Sequence, residues 1–143
     1  MEPQQSFVRR TLSALLAVMM GANGLVMLVA GRWWYGAVPG VTGTGPFNPH
    51  FVKDIGAEYL VVGAALGWLA ARPGQLARGA VVAGAAFLLL HAGVHVADAF
   101  ADHHGLGDLG RDFPGVFLPA FIAAWLAVTP YSRLETRHAQ SLA

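Results

Sequence analysis

Four apolar runs divide this sequence, Thr11–Ala30, Phe51–Ala71, Gly79–Phe100 and Phe113–Thr129, and their lengths decide most of what the chain can become. An α-helix rises ~1.5 Å per residue, so about 20 apolar residues cross the ~30 Å hydrocarbon core of a bilayer. Three runs reach that length, and the fourth is shorter and holds Pro119. Backbone groups in hydrocarbon must be satisfied within the segment, which leaves helices or a closed barrel. The alternating pattern and the number of segments a barrel requires are missing. Composition agrees: of 143 residues, 55% are hydrophobic and only 12% charged, with mean hydropathy +0.51. A soluble domain carries about twice that charged fraction. The expected fold is all-α, one integral membrane domain over 1–143, a bundle of four transmembrane helices at about 11–31, 50–71, 78–100 and 113–129.

The first run follows Arg9 and Arg10 and precedes small residues, as a secretory signal would, but it is too long for a signal core and Arg32-Trp33-Trp34 is a poor cleavage context. It is read as a span. Cysteine is absent, which excludes thiolate chemistry. A net charge of +1, with basic residues scattered near span ends, excludes a nucleic-acid surface. Arg9 and Arg10, Arg72 and Arg78, and Arg133 and Arg137 flank the same ends of the spans. By the positive-inside rule these segments are cytoplasmic, both termini lie inside, and the loops Gly31–His50 and Ala101–Asp112 face outward.

In the first outer loop, Trp33, Trp34 and Tyr35 suit the headgroup level, and the Gly/Pro/Thr stretch that follows leaves no room for regular structure. Asn48 reads as an N-cap with Pro49 at the first helical position. Pro73 and Gly74 close that helix, Asp112 and Pro114 repeat the cap-then-proline start for the fourth, and Pro130 closes it. Small residues such as Gly56, Gly63, Gly84 and Ala85 allow close helix packing.

Two polar stripes interrupt the apolar pattern. His91, His95, Asp98 and Asp102 are spaced by four, three and four, within roughly a 60° arc of one helix face. His50, Asp54 and Glu58 are spaced by four and four, with a drift of ~80°, while Lys53 points away and snorkels. The second span runs inward and the third outward, so both stripes occupy the outer half of the membrane. Matching depths pairs Glu58 with His91, Asp54 with His95 and His50 with Asp98, leaving Asp102, His103 and His104 at the rim. Ionisable groups inside a span normally face the interior and mark function. Carboxylates and imidazoles from facing helices are the ligand set of a metal site in a bundle. His50, Asp54, Glu58, His91, His95 and Asp98 are therefore the candidate ligands for a divalent transition metal, zinc, iron or copper, with Asn23 as a further candidate and Met27 as one only for copper.

The expected function is a membrane metalloenzyme or metal-handling factor whose partners are the lipid bilayer, a metal ion and a small or lipophilic substrate. Other readings of the same residues stay open. A carboxylate–histidine ladder also describes a proton path or a cofactor-free acid/base enzyme. A buried polar network can equally serve only to fix helix register, as in a structural subunit of an oligomer or membrane complex. Haem would need axial histidines from opposite helices, with carboxylates beside a porphyrin.

The segment Val38-Pro39-Gly40 through Thr44-Gly45-Pro46-Phe47-Asn48-Pro49-His50-Phe51-Val52-Lys53-Asp54-Ile55-Gly56 resembles a stretch found in small uncharacterised bacterial four-helix membrane proteins. The resemblance covers this loop and helix start alone. It implies a bacterial inner-membrane location and no particular activity.

Overall fold

A computed structural model describes residues 3–101 and 105–129. The described residues are all-helical, in the order α1 (Pro3–Ala37), a 3-10 turn (Val41–Thr44), α2 (Pro49–Ala71), α3 (Gln75–Ala101), α4 (Leu106–Asp112), a π-helical turn (Phe113–Phe117) and α5 (Leu118–Val128). Among the described residues, four helical stretches are long and apolar enough to cross a membrane: Phe7–Ala37, Pro49–Ala71, Gln75–Ala101 and Leu106–Val128.

The first of these is bent. Ala30 leaves the helical region at φ −135°, ψ 37°, and the bend lets Trp34 Nε1 donate to Asn23 Oδ1 at 2.8 Å. On an unbroken helix those two residues stand about 16 Å apart along the axis, beyond the joint reach of their side chains. Trp34 thereby satisfies an amide that an apolar helix would otherwise leave bare. Asn23 also approaches Met27 Sδ at 3.8 Å, and Met27 is buried in the core. Both residues thus have partners within α1. The loop after Gly31 is also more regular than its composition suggests, since helical turns continue to Ala37 and resume at Val41. Tyr35 packs on Phe47 and its hydroxyl donates to the Gly45 carbonyl at 2.5 Å, which holds the loop in place.

The start of α2 follows its sequence. Asn48 Oδ1 accepts from the His50 and Phe51 amides, both at 3.1 Å, with Pro49 leading the helix. The pairing of α1 with α2 is the most extensive in the bundle, and it rests on glycine. A Cβ on Gly24 would stand 2.5 Å from the Gly56 carbonyl oxygen, and one on Gly63 would stand 2.9 Å from the Gly21 nitrogen. The backbones approach more closely than any side chain would permit. At the far end, Arg10 Nε donates to the Ala70 carbonyl at 3.0 Å and Arg9 Nη2 to the Thr129 carbonyl at 2.7 Å, so both arginines serve carbonyls at helix ends. α3 packs on α5 and α2, closing a core that includes Val62, Leu66, Val81, Leu88, Ala123 and Leu126.

The last span differs from the expected one. It begins at Leu106 rather than at 113, and Asp112 lies in helical conformation (φ −83°, ψ −11°) without capping anything. Pro114 and Pro119 supply no N–H to the carbonyls four residues earlier. The helix widens between them, where the Leu118 amide reaches the Phe113 carbonyl five residues back. The widening lets one continuous span pass two prolines, and it frees the Asp112 side chain for another use.

Candidate acid–base site

Asp112 turns its carboxylate to α3. His95 Nδ1 stands 2.7 Å from Asp112 Oδ2, and the two side chains are only 26% and 10% exposed. Arg111 holds the same carboxylate from the other side, Nε to Oδ1 at 2.7 Å and Nη2 to Oδ2 at 3.1 Å, while its Nη1 donates to Asp108 Oδ1 at 2.6 Å. The guanidinium lies directly against Gly40, whose φ of +85° and missing Cβ permit the contact. The loop between α1 and α2 is thus seated on the residue that orients Asp112.

From His95 the polar series continues one helical turn inward. The His91 ring meets His95 edge-on, with centroids 4.8 Å apart. Phe87 stacks on the other side of His91 at 6.0 Å, and Tyr59 of α2 presents its edge at 6.1 Å. Below Tyr59 and Phe87 lies the apolar core.

An ionised Asp112 only accepts, so the 2.7 Å contact assigns the His95 proton to Nδ1 when the ring is neutral and makes Nε2 the nitrogen with the basic lone pair. When Nε2 takes a proton, the imidazolium remains beside a carboxylate whose own charge Arg111 stabilises. The arrangement can bind and return a proton without rearranging its heavy atoms.

The six expected ligands are not brought together. His50 and Asp54 are exposed, 3.4 Å from each other along α2. Glu58 and Asp98 are exposed, while His91 and His95 are half-buried. The residue opposite His91 is Tyr59 and not Glu58, so the depths match to within one residue but the face of α2 is rotated by about 100°. The buried face of α2 is built from Val52, Gly56, Tyr59, Val62, Gly63 and Leu66, and packing of that surface carries the acidic stripe outward. His95 takes Asp112 as its partner in place of Asp54. Among the described residues, no three His, Asp or Glu side chains form a group that could hold a metal ion. Asp102, His103 and His104, the expected rim, lie outside the described residues.

Asp112, Arg111 and Asp108 escaped the sequence reading of the site. Asp112 followed by a residue and then a proline is a cap signal, and that concealed its use. The Asp108-to-Arg111 spacing of three was the available clue to a helical ion pair there. Comparison with protein-family models, with curated proteins and with solved structures finds no match to this chain.

Proposed function

We propose that this chain is a multi-pass membrane protein carrying an acid–base centre at the loop end of the bundle, in which His95, oriented by Asp112, takes up and returns a proton. The observation that carries the proposal is the 2.7 Å contact between His95 Nδ1 and Asp112 Oδ2, with Asp112 gripped by Arg111. A carboxylate that fixes one imidazole nitrogen and leaves the other free is the arrangement by which enzymes and proton carriers make histidine a directed base. His91 extends the centre inward, and the apolar core beyond Tyr59 and Phe87 stops it there, so the centre exchanges protons with one side of the membrane only.

Charge supports a loop end on the outer face of a bacterial inner membrane, with both termini cytoplasmic. Three basic residues, Arg32, Lys53 and Arg111, stand at the loop end, against Arg9, Arg10, Arg72 and Arg78 at the other end, with Arg133 and Arg137 following the last span in the sequence. The test is infrared difference spectroscopy on membranes reconstituted with ring-labelled histidine while bulk pH is changed. A histidine protonation band that disappears in His95→Ala is expected. Identical difference spectra for wild type and His95→Ala would overturn the proposal.

A further inference from the structure

On its outward side α2 carries ionic groups that nothing in the described bundle covers. Lys53, Asp54, Ala57, Glu58, Val61 and Ala64 are all exposed, in a helix long and apolar enough to cross a membrane. Lys53 and Glu58 enter no ion pair among the described residues, and Asp54 meets only His50 of its own helix at 3.4 Å. At ~1.5 Å per residue, Glu58 sits about 13 Å along the axis from Pro49, well inside a span. A charged side chain facing hydrocarbon there is costly, and such groups turn to protein partners.

The arrangement of the face selects the partner. At ~100° per residue, Ala57, Val61 and Ala64 form a seam about 60° wide. Lys53 lies about 50° to one side of its centre, Asp54 about 50° to the other, and Glu58 about 90°. Two copies related by a two-fold axis along the bilayer normal place the same residues at the same depth, with the left flank of one helix against the right flank of the other. Lys53 of each copy then meets Asp54 and Glu58 of the other. The pairing occurs twice, while the two alanines allow the helices to approach closely. Another protein would have to reproduce the small seam, the acid and the base at matching depths, whereas this chain already supplies all three.

We infer that the outward face of α2 is the interface of a parallel homodimer, held by reciprocal Lys53 to Asp54 and Glu58 pairs, an inference that rests on the membrane placement proposed above. The native chain has no cysteine, so a single introduced thiol reports the contact cleanly. In native membranes, A57C should form a disulfide-linked dimer on mild oxidation, whereas L90C, at an exposed site on α3, should not. Adding K53E to A57C should reduce cross-linking to the L90C level, and combining K53E with D54K should restore it to at least half the A57C level. Alkaline extraction of the same membranes scores integration separately: release of the protein overturns the membrane placement and leaves no bilayer dimer to test for. Retained protein in which A57C does not cross-link, in which K53E has no effect, or in which the double charge reversal fails to rescue would overturn the dimer.

Discussion

Truncating Asp112 separates an acid–base pair from a packing coincidence, because its two partners differ in exposure. Asp112→Ala deletes the acceptor of the 2.7 Å contact to His95 and both contacts to Arg111. The Arg111 side chain is 36% exposed, so its share is small. A hydrogen bond to a charged group in a half-buried site contributes about 1.5–3 kcal/mol, which puts the total loss at roughly 2–3 kcal/mol. Because Arg111 retains Asp108 and the loss of the His91–His95 ring contact cancels in the cycle, the coupling between the His95→Ala and Asp112→Ala substitutions should be about 1–2 kcal/mol. Reversible unfolding of the detergent-solubilised protein, measured for wild type, the two single variants and the double, gives that coupling directly. Strictly additive losses would refute the pairing of His95 with Asp112.

Trp34→Phe keeps the ring but leaves the Asn23 amide without its donor inside an apolar helix, and should cost about 1–3 kcal/mol in the same unfolding measurement; Asn23→Leu added to it should recover much of the loss. Gly63→Leu places atoms where the Gly21 backbone lies and should cost about 1–3 kcal/mol or separate α1 from α2, whereas the same change at Gly79, where a Cβ meets nothing, should stay within about 1 kcal/mol. A reporter inserted at Gly107 should behave as external and one fused after Ala143 as cytoplasmic; the opposite result would turn the acid–base centre to the other side. Chelator should leave the wild-type unfolding midpoint unmoved; a fall that vanishes in the His91→Ala, His95→Ala variant would return both histidines to metal binding.

The helices were legible because apolar length and local capping act over neighbouring residues. The Asn48 and Pro49 start of α2 is a case in point. The depth of the polar groups was legible too, since rise per residue is fixed and Tyr59 meets His91 one position from the expected Glu58. Rotation about the helix axis was not. It was set by the glycine contacts of Gly56 and Gly63 with α1 and by Tyr59 and Val62 against α3, and tertiary packing of that kind leaves no periodic signal separate from the polar stripe it displaces. Asp112 was hidden by a local rule that held for Asn48 and failed at the second cap-and-proline sequence, because the π-helical turn carries α4 straight into α5. The outward acidic stripe, read as a ligand set, is the surface that the proposed dimer sets against Lys53 of a second copy.

The central claim is that Asp112 fixes the proton of His95 on Nδ1. Nitrogen-15 spectra of the imidazole rings, with His95 assigned by its loss in His95→Ala, read that proton in the protein reconstituted in lipid. The neutral His95 ring should be the Nδ1–H tautomer in wild type and should shift towards Nε2–H in Asp112→Ala, where nothing holds the proton at Nδ1. A neutral His95 already protonated at Nε2 in wild type, or a tautomer indifferent to Asp112→Ala, would contradict the account.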